Sequence, residues 1–119
     1  YALLPKMKEK GFGRIVNTTS GIDRDPYQGP YSASKAALDK VTKDLEVTLS
    51  GEDILIFLAD PGWCRTDLGG PNAPNSPESA VNGCIAGAFA SKGVNGMIIH
   101  AQDYADMSLE EAVKAIENS

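Results

Sequence analysis

The chain contains an apolar run of six residues, ILIFLA at 54–59, which constrains the fold more than any other feature. The run has the length of one strand and no polar residue, whereas a strand with one face in water alternates apolar and polar side chains. Strands that are apolar on both faces are typical of parallel sheets covered by helices on each side. The run therefore predicts a buried strand in an α/β fold.

Helical and strand patterns alternate along the rest of the chain. One helix, from Tyr31 to about Leu49, is predicted from apolar residues at helical spacing. This stripe consists of Ala33, Ala36, Ala37, Val41, Leu45 and Leu49. The other expected helices cover 1–10, 78–91 and 108–117, and the expected strands cover 14–19, 54–59 and 96–101. Because this alternation requires right-handed crossovers, the predicted order is α-β-α-β-α-β-α around one parallel sheet.

Composition restricts the class of protein and its partners. The 119 residues fit one domain, and a net charge of −5 without a lysine–arginine cluster argues against nucleic acid and anionic membranes as partners. No apolar run approaches the ~18 residues of a membrane span. Cys64, Cys84 and the single His100 show no metal-ligand spacing, so no metal site is expected. A reducing, cytoplasmic location is the default for such a chain.

Tyr31 and Lys35 are the first candidates for chemistry because they stand at i and i+4 on one face of the predicted helix. A free phenol ionises near pH ~10 and is a poor base at neutrality. A neighbouring ammonium favours the phenolate, which makes tyrosine a usable proton donor and acceptor. Taken alone, the pair favours an amphipathic helix that carries a surface lysine, because this spacing of tyrosine and lysine occurs often by chance.

The neighbouring motifs favour the chemical interpretation. Ser20 ends the strand in NTTS, at the carboxyl edge where open α/β sheets bind ligands. YSASKAAL then begins at Tyr31, and PGWCRTD begins at Pro61 after the next strand. These motifs, in this order, resemble the short-chain dehydrogenase/reductase family. The run PGWCRTDLGGPNAPNSPESAVNG, residues 61–83, is similar to the carbonyl-reductase-like and C-factor-like branch.

The resemblance implies a Rossmann-like doubly wound sheet and an NAD(P)-dependent oxidoreductase that interconverts a carbonyl and an alcohol. It implies that Tyr31 is the general acid/base and that Lys35 binds the nicotinamide ribose and favours the phenolate. Ser20 would hydrogen-bond the substrate oxygen. Three residues would line the nicotinamide end of the cofactor: Pro61, Gly62 and Thr66.

The sequence also departs from the family pattern. No glycine-rich phosphate turn follows a strand and opens a helix, because Gly11-Phe12-Gly13 precedes its strand. Residues 1–119 are therefore expected to be the C-terminal portion of one NAD(P)-binding domain, without its N-terminal dinucleotide-binding half. The loop Gly21–Pro30 is shorter than the family's by a residue or two, which predicts a trimmed substrate side. The segment after Gly96 does not match the family ending.

Two functional interpretations follow from these observations. In the first, the chain carries the catalytic part of an enzyme that acts on a small carbonyl or alcohol substrate. In the second, it is a non-catalytic fragment that acts only through assembly. The predicted helices at 1–10 and 31–49 correspond to the pair that the family uses to form dimers and tetramers, so a homodimer or homotetramer is expected.

Overall fold

The computed structural model describes residues 2–21, 26–49, 51–93 and 95–119, and its elements follow the predicted order α-β-α-β-α-β-α. They are α1 (Leu4–Lys10), β1 (Phe12–Thr18), α2 (Gly29–Thr48), β2 (Asp53–Asp60), α3 (Val81–Phe89), β3 (Met97–His100) and α4 (Leu109–Glu117). Two short 3-10 helices cover Pro77–Ala80 and Ala101–Tyr104. Within the described ranges, no helix has the length and apolar character needed to cross a membrane.

β2 is the central strand of a parallel sheet with the order β1-β2-β3. The register pairs Thr18 with Ala59 and Asp60 with His100. Every residue of the apolar run 54–59 is buried, which confirms the prediction of a strand covered on both faces. Because the three strands run in one direction, their carboxyl ends form one edge, where the loops that follow them meet.

Helices cover both faces of this sheet, as in a partial Rossmann-like, doubly wound fold. On one face, α3 and α4 enclose an apolar cluster that includes the fully buried Phe57 and Ile116. On the other face, Met7 of α1 and Leu45 of α2 pack against the cluster that contains Ile56. The apolar residues on alternate sides of β2 therefore form two cores.

Local sequence signals account for several element ends. Gly11 adopts φ 71° and ends α1 in the left-handed conformation that glycine tolerates best. Ser108 and Glu111 form the predicted capping box at the start of α4, in which each side chain binds the other residue's backbone N–H. The predicted helix 78–91 is divided, because its first turn is the 3-10 helix and α3 begins only at Val81.

α2 differs from the prediction in the face that it buries. Four residues of the predicted stripe are exposed to solvent: Ala33, Ala36, Ala37 and Val41. These four residues therefore do not lie in the core. The helix meets the sheet through the buried Thr42 and through two residues of the stripe, the half-buried Leu45 and the buried Leu49.

Candidate active site

Ser20 and Tyr31 stand at the two ends of the loop between β1 and α2. Ser20 is half-buried just beyond β1, and Tyr31 lies in the first turn of α2 with 40% of its surface exposed. Pro30 suits this start of the helix, because its fixed φ is helical and the first-turn N–H groups have no intrahelical partner. The expected trimming of the loop concerns residues 22–25 among others, and these lie outside the described residues.

Lys35 places its ammonium between the strand end and the phenol. Its Nζ donates a hydrogen bond to the Thr18 carbonyl oxygen at 3.0 Å and lies 5.9 Å from the centre of the Tyr31 ring. The i, i+4 spacing read from the sequence thus brings the two side chains together.

Two further hydrogen bonds fix α2 to the end of β1. The Thr19 hydroxyl donates to Asp39 Oδ1 at 2.5 Å, and Asn17 Nδ2 donates to Thr42 Oγ1 at 3.0 Å. Thr19 and Thr42 are both buried, so these bonds satisfy groups that would otherwise be costly to bury. Sequence reasoning missed both contacts. Asp39 could have been found, because it follows Lys35 by one helical turn.

The loop after β2 begins with a tight turn built on Asp60. Its Oδ1 accepts a hydrogen bond from Gly62 N at 3.0 Å, and its Oδ2 lies 3.6 Å from His100 Nδ1. Gly62 adopts φ 77°, a conformation that residues with a Cβ rarely tolerate. His100 is exposed, as expected for a solvated histidine, and it stands at the same edge of the sheet.

Further along this loop, Thr66 closes a second turn. Its hydroxyl oxygen accepts a hydrogen bond from Gly69 N at 3.0 Å, and its carbonyl oxygen accepts one from Gly70 N at 2.8 Å. Trp63 Nε1 donates to the Gly69 carbonyl oxygen at 2.8 Å. The Trp63 side chain remains 61% exposed, so it does not belong to the core. The loop is therefore held by its own polar groups and presents an indole to solvent.

The two cysteines lie near this loop as free, half-buried thiols. Cys64 Sγ donates to the Pro61 carbonyl oxygen at 3.5 Å. Burial, together with the nearby Cys64 thiol and the Asp60 carboxylate, raises the pKa of the Cys84 thiol. In the ranges that the structure describes, no three histidine, cysteine or acidic side chains converge as metal ligands.

The carboxyl ends of β1 and β2 lie side by side, which brings together the segments that follow the two strands. Thr19 N donates to the Ala59 carbonyl oxygen at 2.8 Å, which extends the strand pairing one residue beyond β1. A Cβ on Gly21 would lie 3.9 Å from Asp60 Oδ2. The segments that carry Ser20 and the Pro61–Gly62 turn are therefore neighbours at this edge, and Lys35 reaches it from α2.

This order of elements and side chains is matched by known proteins. Residues 1–76 match the model of the family described as short chain dehydrogenase. The chain belongs to the short-chain dehydrogenase/reductase family. Its similarity to C-signal of Myxococcus xanthus is 30% identity over 89 residues, which covers 71% of this chain and 54% of that protein.

Two other relatives of the chain are informative. The 3-oxoacyl-acyl-carrier-protein reductase FabG of Rickettsia prowazekii is 37% identical over 67 residues, which covers 55% of this chain and 28% of FabG. The solved structure of the carbonyl reductase Sniffer of D. melanogaster superimposes with a TM-score of 0.66 at 26% identity, covering 85% of this chain and 48% of Sniffer. These likenesses support the carbonyl-reductase-like branch. The chain spans about half the length of C-signal, and less of FabG.

The residues present fit the nicotinamide cofactor that the family uses. An ammonium has three N–H donors, and among the described residues Lys35 directs one of them at Thr18, so two remain for ribose hydroxyl groups. The partly exposed Tyr31 hydroxyl has no hydrogen-bond partner in the described ranges. Gly62 is exposed at the same edge, although the side where a Cβ would stand is packed against Gln102. Hydrogen-bond donors are thus available where a sugar would bind.

Proposed function

We propose that this chain carries the catalytic part of an NAD(P)-dependent oxidoreductase that interconverts a small-molecule carbonyl and the corresponding alcohol. The observation that supports this most is the position of the Lys35 ammonium, hydrogen-bonded to Thr18 O and 5.9 Å from the Tyr31 ring centre. This bond holds the ammonium at the strand end that precedes Ser20.

Each of the three side chains has a distinct task in this proposal. Tyr31 gives a proton to the carbonyl oxygen during reduction and removes the alcohol proton during oxidation. Lys35 holds its ammonium beside the Tyr31 ring and donates its remaining N–H groups to the ribose. Ser20 donates a hydrogen bond to the substrate oxygen, so that negative charge developing there meets a preplaced donor. NAD(P)H, when bound, supplies the hydride.

The loop after β2 holds the nicotinamide end in the same proposal. Pro61 and Gly62 line it with backbone, and the Asp60–Gly62 hydrogen bond keeps that backbone in one conformation. The Thr66 oxygen accepts from Gly69, which leaves its hydroxyl hydrogen to donate to a polar group of the cofactor.

The two free thiols support a reducing compartment, and we place the protein in the cytoplasm.

Tyr31→Phe tests the acid/base role in the intact protein that contains this chain. We expect kcat for carbonyl reduction to fall by roughly 10²- to 10⁴-fold, the usual contribution of a positioned general acid. Tyr104→Phe is the matched control, because it also removes one phenol hydroxyl and Tyr104 packs against the apolar cluster around Phe57. Circular dichroism establishes that both variants fold. Undiminished turnover in Tyr31→Phe would place the acid/base role elsewhere.

The 119-residue chain by itself is expected not to turn over substrate. It contains no glycine-rich turn that follows a strand and opens a helix, and such turns hold the cofactor phosphates. The measurement is absorbance of NADPH in the presence of a carbonyl substrate and the purified chain. Steady consumption above the rate without protein would contradict this expectation.

A second candidate function is assembly without catalysis, and the exposed stripe of α2 favours it. Val41 is 40% exposed and Val47 is 75% exposed, although both are apolar. β1 is also an edge strand of the three-stranded sheet. Assembly of this kind predicts a dimer or tetramer in sedimentation, and Val41→Glu should shift it to monomer. A monomeric wild-type chain would contradict it.

A further inference from the structure

The segment that follows β3 reaches back to the turn after β2, although it lies beyond the residues 1–76 that match the family. Gln102 is half-buried in the 3-10 helix Ala101–Tyr104. Its Nε2 donates to the Pro61 carbonyl oxygen at 2.9 Å and lies 3.0 Å from Ser79 Oγ. A single side chain therefore links the Pro61 turn with the 3-10 helix that precedes α3.

The chemistry of these partners fixes the orientation of the Gln102 amide. The Pro61 carbonyl oxygen can only accept, so the nitrogen of the amide must face it. The Ser79 hydroxyl lies 2.7 Å from the Ser76 carbonyl oxygen, 3.0 Å from Gln102 Nε2 and 3.1 Å from Gln102 Oε1, so it can accept from the amide nitrogen or donate to the amide oxygen. A carboxylate in the same place could still accept from Ser79, but it could not donate to the Pro61 carbonyl oxygen.

The stem of Gln102 also supports the turn by packing. A Cβ on Gly62 would lie 3.0 Å from Gln102 Cγ, so the bare Cα of Gly62 sits directly against this methylene. Gly62 has φ 77°, which a residue with a side chain would resist. Gln102 therefore makes two contacts with the turn: a hydrogen bond to the Pro61 carbonyl oxygen and a packing contact with the Cα of Gly62.

We infer that Gln102 is a positioning residue that sets the conformation of the Pro61–Gly62 turn for the nicotinamide end of the cofactor. The cofactor part of this inference rests on the proposed function. The hold on the turn rests only on the two amide hydrogen bonds and the contact with Gly62. Gln102 acts through the turn and touches no reacting atom.

Two variants of the 119-residue chain distinguish the effect of the Gln102 N–H donors from the effect of its packing against Gly62. Gln102→Glu has the same shape but lacks N–H groups, and Gln102→Met keeps an unbranched stem under Gly62 without charge. Asp103→Asn is the matched control, because Asp103 is exposed in the same 3-10 helix and the change alters one charge. The first measurement is amide hydrogen exchange without cofactor at Gly62 and Arg65. Gly62 N donates to Asp60 Oδ1 at 3.0 Å, and Arg65 N, further along the same loop, donates to the Asn75 carbonyl oxygen at 2.8 Å. The second is titration with NADPH, followed by Trp63 emission.

We expect exchange at both amides to rise about tenfold in Gln102→Glu and Gln102→Met, because a lost hydrogen bond of ordinary strength has that effect. The dissociation constant for NADPH should rise by a similar factor, and Asp103→Asn should stay within about twofold. If exchange at Gly62 and Arg65 is unchanged in both Gln102 variants while circular dichroism shows them folded, the inference is overturned.

Failure of the proposed function gives a different result. In that case folded wild-type chain shows no saturable change in Trp63 emission with NADPH, while the variants still exchange faster at Gly62 and Arg65. Such a result supports the hold of Gln102 on the turn and contradicts the assignment of that turn to a nicotinamide.

Discussion

Replacing Thr19 with valine tests whether a buried hydroxyl fixes α2 to the end of β1. Thr19 is 4% exposed, and its hydroxyl donates to Asp39 Oδ1 at 2.5 Å. A hydrogen bond to a charged group contributes ~1.5–3 kcal/mol to stability. Because Asp39 is only half-buried, water replaces part of this bond once the hydroxyl is removed. We therefore expect Thr19→Val to lower the free energy of unfolding by ~1–2 kcal/mol.

The assay is urea unfolding followed by far-UV circular dichroism, for Thr19→Val, Asp39→Asn and the double variant. Because the two groups are in contact, the cycle should give a coupling energy of ~0.5–2 kcal/mol. Thr48→Val is the matched control, since its exposed hydroxyl donates only to the Leu45 carbonyl oxygen of the same helix. That control should change stability by at most ~0.5 kcal/mol. A coupling energy of zero, or an equal loss in Thr48→Val, would refute the reasoning.

Three other outcomes are expected. Phe57→Ala should lower the free energy of unfolding in urea by ~3–5 kcal/mol, because Phe57 is fully buried, and a loss below ~1 kcal/mol would contradict the core described for β2. Hydrogen bonds from the Ser91 hydroxyl and backbone N–H lower the pKa of Glu117 below its usual 4.5. The Glu117 carboxylate therefore contributes to stability above pH 4.5, and this contribution is lost as the pH falls through its lower pKa in the folded chain. The urea midpoints of wild type and Glu117→Gln should for that reason converge in acid. Because the pKa of Cys84 is raised, iodoacetamide at pH ~8 should alkylate it more slowly in the folded chain than in urea, and equal rates would contradict its burial.

The order of helices and strands could be predicted because it depends on local patterns. The apolar run 54–59 and its alternation with helical segments determine a covered parallel sheet whatever the details of packing. The buried face of α2 could not be predicted in this way. The stripe at Ala33 and Val41 has helical spacing, but burial depends on which elements lie beside the helix, and the spacing alone does not contain that information.

The candidate site could be predicted from local sequence patterns only where its residues are close in sequence. Tyr31 and Lys35 share one helix face and Ser20 follows a strand, but their selection as one site depended on the resemblance of the motifs around them to a known family. Gln102 is 41 residues from the Pro61 carbonyl oxygen that it binds. A contact between residues so far apart in sequence depends on the packing of the 3-10 helix after β3, and no local sequence pattern predicts it.

The most direct test of the central claim is binding of reduced nicotinamide mononucleotide to the 119-residue chain, measured through energy transfer from Trp63. This ligand carries the ring and the ribose assigned to Lys35 and needs no second phosphate site. The account predicts saturable binding that Lys35→Met weakens about tenfold, the effect of losing hydrogen bonds to a charged donor. Lys40→Met serves as the control, because its ammonium pairs with the exposed Asp44 at 2.5 Å. Absence of saturable binding by the folded chain, or equal affinity in Lys35→Met, would contradict the claim.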